Sequence, residues 1–181
     1  YNKAFVLNNK TDTSLNNFHK LELNNLSLSS TNSPSLTGKN SIIDTGIGII
    51  GLSGYKGKKL NDTIGVSIQG NEILYENYLS GGTFSNPLST SKTIYDINVY
   101  DEKLYIQSFD SSNNGFINVF TNERELLKTY FINNSAVSGY KLDFINEDKE
   151  IKLLSFSIDQ NKKIYVDKFN LSNSLSSTYF L

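Results

Sequence analysis

The chain has no cysteine, and it carries a single histidine, His19. Without cysteine there are no disulfides, no thiolate metal sites and no cysteine nucleophile. One imidazole cannot build a histidine-based zinc site or a two-histidine relay. Long apolar runs are missing as well. None approaches the ~18 residues a spanning helix needs, and no signal-peptide pattern opens the chain. Charge of one sign is also lacking: the formal net charge is -1, so no global pull toward nucleic acid or an anionic membrane is expected. Proline occurs only at Pro34 and Pro87, alanine only at Ala4 and Ala136, and Arg124 is the only arginine. The chain opens at Tyr1 and not at Met, so a processed or truncated product is expected, with any targeting signal carried elsewhere.

What is present is apolar and aromatic. Hydrophobic residues make up 38% of 181 residues, with 11 tyrosines and 11 phenylalanines, which is material for a folded core and not for a disordered tail. Asparagine, lysine and isoleucine are abundant, a bias that follows AT-rich codons. Glycosylation sequons stand at Asn9, Asn25, Asn61, Asn133 and Asn170. About five would arise by chance in so Ser- and Thr-rich a chain, and they carry no argument.

Helical periodicity is hard to find, while period-two alternation is widespread. Ile94 to Tyr100 and Lys103 to Phe109 read as two strands across an Asp101-Glu102 turn. Phe116 to Phe120 follows Asn114-Gly115, a dipeptide suited to the positive φ angles of a tight hairpin. Leu126 to Ile132 supplies a fourth strand after the polar stretch Thr121–Glu125. Four antiparallel strands in about 40 residues form a meander, the unit of a propeller blade.

The unit recurs. Thr129-Tyr130-Phe131-Ile132 returns 49 residues later as Thr178-Tyr179-Phe180-Leu181. Phe109, Ile117 and Val119 match Phe156, Ile164 and Val166 at a spacing of 47. Ile64 to Ile68 and Glu72 to Leu79 resemble the third and fourth strands of a later copy. Leu26 to Thr31 resembles Ser174 to Thr178, about three periods on. The expected organisation is a single all-β domain of four modules, about 1–32, 33–79, 80–132 and 133–181, each a four-stranded antiparallel blade. The first module is short and lacks a strand. The chain is therefore expected to be either a compact ring or part of a larger one, completed by other segments or chains. The alternative is a single β-sandwich with accidentally regular spacing.

The period, the Lys103-Leu104-Tyr105-Ile106 strand and the Gly115-Phe116-Ile117-Asn118-Val119-Phe120 strand together resemble YncE-like and NHL-like propeller repeats. The blade-closing Trp-Asp of WD40 repeats is absent, since the chain has no tryptophan. The resemblance implies a scaffold whose loops on one face recognise a partner; fold alone names no ligand.

Three segments invite a chemical reading. In Asp44-Thr45-Gly46-Ile47-Gly48-Ile49-Ile50-Gly51, the glycines satisfy G-x-G-x-x-G after Ser41-Ile42-Ile43, with Glu72 about 20 residues on. The same segment is similar to the D-x-G-x-G nucleotide box of histidine-kinase ATPase domains. A dinucleotide motif must open a helix whose N-terminus meets the pyrophosphate, and Leu52 to Lys58 has no apolar helical face. The competing reading is a blade's first strand. Lys56, Lys58 and Lys59 form a basic cluster assigned to the following loop, with Tyr55 beside it as a further binding candidate, fit for a phosphate or a sialic-acid carboxylate, or for a solvated turn. Asp110 to Gly115 opens like a calcium loop, with Asp110 and Asn113 as candidates. Its twelfth position is Thr121 in place of the required glutamate, and Asp159-Gln160-Asn161 recurs at the matching place, which favours a hairpin turn. His19 precedes Lys20-Leu21-Glu22-Leu23 and reads as a surface or hydrogen-bonded residue.

No catalytic constellation emerges. The expectation is a recognition or scaffolding domain that is not an enzyme and needs no cofactor or metal. It would be exported or displayed at the cell surface, and would bind a protein or glycan through its loops. The contrasting expectations are a propeller-type hydrolase or lyase acting on carbohydrate, with two facing carboxylates, and a purely structural segment of a large surface protein.

Overall fold

A computed structural model describes residues 3–8, 17–22, 27–32, 38–46, 48–86, 92–133, 135–172 and 176–180, with side chains for 38–46, 48–82, 93–133, 135–172 and 177–179. The His19 side chain lies outside these, as do the sequons at Asn9 and Asn25 and the last residue, Leu181. The described residues contain no helix, and so none long and apolar enough to cross a membrane.

Every sheet is an antiparallel meander of consecutive strands. The first has three: β1 (Lys3–Asn8), β2 (Asn17–Glu22) and β3 (Ser27–Asn32). A hairpin follows, β4 (Ser41–Asp44) with β5 (Ile49–Leu52). The second sheet holds β6 (Tyr55–Lys59), β7 (Ile64–Gln69), β8 (Glu72–Asn77) and β9 (Thr83–Asn86). The third holds β10 (Lys92–Tyr100), β11 (Lys103–Asp110), β12 (Gly115–Phe120) and β13 (Leu126–Phe131). The fourth holds β14 (Ser138–Glu147), β15 (Glu150–Ile158), β16 (Ile164–Asn170) and β17 (Ser176–Phe180).

The sheets stack face to face as propeller-like blades. Val66, Ile68, Ile73 and Tyr75 of the second sheet pack on Ile94, Ile97, Leu104 and Ile106 of the third. The opposite face of the third sheet, with Tyr105, Phe109, Ile117, Val119 and Tyr130, packs on Leu142, Leu153 and Phe169 of the fourth. A middle blade covered on both sides has no solvent face, which is why β11 is buried without a break from Leu104 to Phe109. Each fully buried Leu or Ile in these layers contributes ~1.5–3 kcal/mol. A row of at least three stacked meanders excludes the two-sheet sandwich.

The repeat is visible in the register. Asn118 pairs across to Thr129, and 49 residues later Asp167 pairs across to Thr178. Asn118 Nδ2 donates to Thr129 Oγ1 at 2.9 Å, and Thr178 Oγ1 donates to Asp167 Oδ1 at 2.5 Å. The turn that opens at Asp110 recurs at Asp159, again 49 residues on, with the third residue after each at positive φ (Asn113 62°, Lys162 64°). The 47-residue match of Phe109 to Phe156 is thus a two-residue slip. Phe109 packs toward the fourth sheet, while Phe156 stands on the far face, opposite Val166.

Two expectations about the second module change. Ile64–Ile68 and Glu72–Leu79 are not third and fourth strands: β7 and β8 are the second and third, and β9 is the fourth. The glycine-rich segment is not a blade's first strand but a hairpin of its own. Thr45 N and Thr45 Oγ1 both donate to Gly48 O, at 3.0 and 2.9 Å, and Asp44 Oδ1 accepts from Gly46 N at 2.8 Å. Gly46 takes φ 89°, a conformation glycine supplies without steric cost. The hairpin covers the outer face of the second sheet: Leu52 is fully buried, and a Cβ on Gly65 would lie 2.8 Å from it.

Candidate functional site

The first strands of three successive blades, β6, β10 and β14, lie next to one another, and each carries a β-bulge. In β6, Tyr55 pairs with Ile68 and Lys58 with Val66, leaving Lys56 and Gly57 opposite Ser67 alone. In β10, Tyr95 is the extra residue between Ile94 and Asp96. In β14 it is Tyr140, between Gly139 and Lys141. In the last two the bulge occupies the same register, opposite Ser108 and Gln107 in β11 and opposite Ser157 and Phe156 in β15. A bulge bends the strand and re-aims side chains. In β6 the local sequence demands it: Lys56 has φ 55°, and a Cβ on Gly57 would meet Ser41 Oγ at 2.5 Å.

The three bulged strands enclose a groove of about 530 Å³, lined by Lys56, Gly57 and Lys58 from β6, Asp96 and Asn98 from β10, and Tyr140 to Asp143 from β14. Asp96 is the buried hub. It forms an ion pair with Lys56 at 3.1 Å and accepts a hydrogen bond from Leu142 N at 2.7 Å, tying three blades together. Lys56 Nζ also donates to Tyr95 O at 2.6 Å, and Asn98 Nδ2 donates to Leu142 O at 3.2 Å. Lys141 pairs with Asp143 at 2.6 Å. That hydrogen bond from Lys141 holds the Asp143 carboxyl below the usual carboxylate range, against some desolvation and with help from Phe144 N, Lys141's charge and Lys58. Asp143 in turn raises the Lys141 ammonium.

Two of three groove cations are thus neutralised in place. Lys58 alone has no hydrogen bond or ion pair among the described residues, and its charge is felt at Asp143. Beside it Tyr140 is 65% exposed, a large aromatic ring held at the surface. Chemically, the groove offers one unpaired ammonium next to one open aromatic face.

The basic cluster read from the sequence is split by strand geometry. It lies on strand β6 and not in a loop, and Lys56 and Lys58 reach the groove. Lys59 donates to Thr45 O at 3.1 Å and pairs with Asp62 at 2.7 Å. Tyr55 is exposed and does not line the groove. Asp110 and Asn113 belong to another place. Asp110 Oδ1 accepts from Ser112 N and Asn114 N, both at 2.9 Å. Asp159 Oδ1 likewise accepts from Asn161 N and Lys163 N, at 2.8 and 2.9 Å. These are turn-building carboxylates, and a polar cleft of about 360 Å³ lies between the two turns. Among the described residues no three His, Asp or Glu side chains gather as metal ligands. The hairpin Asp44–Gly51 leads into strand and not helix, so it presents no helix N-terminus to a nucleotide phosphate.

Sequence reasoning missed Asp96, Asn98, Tyr140, Lys141 and Asp143. A signal was there: Tyr95-Asp96 and Tyr140-Lys141 are aromatic–charged pairs at matching places in two modules, within otherwise alternating strands.

No family model matches the chain, and no curated protein matches it. Among solved structures it is similar to the β-propeller domain of the trilobed protease from Pyrococcus furiosus, described as having an open velcro topology, at 12% identity and a TM-score of 0.36. That match covers 100% of this chain and 66% of the other, so the chain spans less than two thirds of its length.

Proposed function

We propose that the chain is a non-enzymatic recognition module that binds an acidic glycan in the groove between β6, β10 and β14, in an exported or cell-surface setting. The observation that carries this reading is the pairing of charges there: Lys56 and Lys141 are spent on Asp96 and Asp143, while Lys58 is free beside the exposed Tyr140 ring. A sugar carboxylate suits the ammonium as a charge-assisted hydrogen-bond partner, and the apolar face of a sugar ring suits the phenol. The groove carboxylates do not suit a hydrolase. A general acid needs a raised pKa, whereas Asp143 is lowered, and Asp96 is committed to Lys56 and Leu142 N.

The test is an amide-resolved NMR titration of the full chain with sialyl- and uronate-containing oligosaccharides, their neutral counterparts, and a short acidic peptide. Shifts confined to β6, β10 and β14 with the acidic sugars are expected. Lys58→Ala should weaken that binding about 10-fold or more, the worth of one charge-assisted contact, with Lys103→Ala as a control outside the groove. Binding of the peptide alone would replace the glycan by a protein partner. Shifts elsewhere, or an unchanged affinity in Lys58→Ala, would remove the groove as the site.

A further inference from the structure

We infer that a crevice between the third and fourth sheets is a second binding site, apart from the groove, built for a small aromatic carboxylate. It lies on the face of the third sheet turned toward the fourth, where β11, β12 and β13 run in register. Tyr105 pairs with Val119, Val119 with Lys128, and Ile117 with Tyr130. Lys103, two residues before Tyr105, stands on the same face, opposite Tyr100. Tyr105, Val119 and Tyr130 pack toward the fourth sheet. Tyr100 and Tyr105 both rest on its Phe144, with ring centroids 5.1 and 5.0 Å away. Where the two sheets part, beside Leu171 and Ser172 after β16, they leave a crevice of about 420 Å³. It shares no lining residue with the groove of the bulged strands.

Its chemistry is set by polar groups that the fold leaves unused. Tyr105 and Tyr130 are each 5% exposed, and both line the crevice. Neither hydroxyl has a hydrogen-bond partner among the described residues, and neither is sealed from solvent as that of Tyr75 is. Two such hydroxyls on one wall offer a ligand two donors. Burial, with Tyr130, Asp101 and Tyr100 nearby, pushes the Tyr105 phenol up to about 12, so at neutral pH it keeps the proton it would donate.

Two cations stand at the same place. Lys103 is paired with Asp101. Lys128 has no ion pair or hydrogen bond among the described residues, and its Nζ lies 4.4 Å over the Tyr130 ring. One uncompensated positive charge thus stands beside two free phenol donors, a setting that suits a carboxylate. Val119, Leu127 and Leu171 complete the lining with carbon. Against them the hydroxyls of a sugar acid would go unpaired, whereas a planar aromatic ring can bury both of its faces.

An amide-resolved NMR titration of the full chain tests this, with naphthoate as the probe up to about 5 mM, and naphthylmethanol and glucuronate as comparisons. Saturable shifts with naphthoate are expected at 103–105, 119, 127–130 and 171–172. Lys128→Met keeps the aliphatic stem on the Tyr130 ring but removes the charge, and should weaken binding about 10-fold or more. Naphthylmethanol should bind the parent chain as weakly as naphthoate binds that variant. Tyr105→Phe keeps its ring and removes one donor, so a loss of about 3- to 10-fold is expected. Its melting temperature should stay level or rise, because the hydroxyl removed has no partner in the free protein; a merely structural tyrosine would lower the melt and leave the affinity alone. A thermal melt checks that each variant folds, and either one that does decides the matter. No saturable shift, equal binding of naphthylmethanol, tighter binding of glucuronate in the crevice, or shifts gathered in the groove would each overturn the inference.

Discussion

Glu76 is the residue whose loss tests the architecture most directly. It is 6% exposed on β8 and ties the loop after β5 to the second sheet. Its Oε2 accepts from Ser53 N at 2.8 Å and Ser67 Oγ at 3.3 Å; its Oε1 accepts from Ser53 Oγ at 2.7 Å and Lys39 Nζ at 3.1 Å. In Glu76→Ala the Ser53 N–H is left without its acceptor, at ~1–3 kcal/mol for a part-buried donor. Lys39 is 29% exposed and turns to water, so its share is below ~1 kcal/mol. The serine hydroxyls rotate to other partners. The sum is about 3 kcal/mol. Glu76→Gln keeps one acceptor but sets an NH2 against Lys39, and about 1 kcal/mol is expected. Urea unfolding at pH 7 reads both.

The same residue has a pH signature. Burial pushes the Glu76 carboxyl upward, but the hydrogen bonds from Ser53 Oγ and Ser53 N and the charge of Lys39 outweigh it, and the folded pKa lies below the ordinary 4.5. A depressed acid stabilises the fold fully above its unfolded pKa, and that contribution disappears as pH falls through the folded value. Wild type should therefore lose stability below about pH 4.5 more steeply than Glu76→Gln. A Glu76→Ala cost under ~0.5 kcal/mol, or identical acid limbs for wild type and Glu76→Gln, would refute the reasoning.

Other outcomes follow from single contacts. Tyr75 OH is buried without a hydrogen-bond partner, so Tyr75→Phe should be neutral or stabilising by up to ~1 kcal/mol in a thermal melt. Gly139→Ala should destabilise by ~1–3 kcal/mol in urea, because the new Cβ would lie 2.5 Å from Gln107 Oε1 and 2.8 Å from Tyr95 Cβ. Burial pushes the Tyr75 and Tyr105 phenols up to about 12. Their stabilisation is complete below pH 10 and lost as pH rises toward 12, so an absorbance titration should show two late-ionising tyrosines coupled to unfolding.

Much of the blade pattern was legible because the strands of the third module alternate and end in polar turns. Ile94–Tyr100 and Lys103–Phe109 lie inside β10 and β11. Where the pattern failed, a physical reason is visible. Strand β9 is only four residues, Thr-Phe-Ser-Asn, with one large apolar side chain, and so β7 and β8 were displaced to the end of their module. The 47-residue match followed apolar identity, and a two-residue slip preserves the face pattern of a strand. The lysines of β6 read as a loop because a bulge with Lys56 at positive φ and an adjacent glycine breaks the alternation. Bulges hid the groove for the same reason: they bring Asp96, Tyr140 and Lys141 together from segments some 45 residues apart, and no window along the chain contains all three.

Those bulges also bear on how such a protein can change. The residue extruded from β14, Tyr140, is 65% exposed, so its identity is free of the packing that fixes Leu104 or Ile97, whereas Tyr95, extruded from β10, packs on Phe109. Tyr140 and its partly exposed neighbours in the groove, Lys58 and Lys141, can be exchanged for other side chains while the blades beneath stay as they are. The exposed side chains of the groove are thus a place where natural variants can diverge in what they hold while the blade interiors stay fixed, and sequence drift concentrated there, against quiet blade interiors, would be the mark of selection acting on recognition.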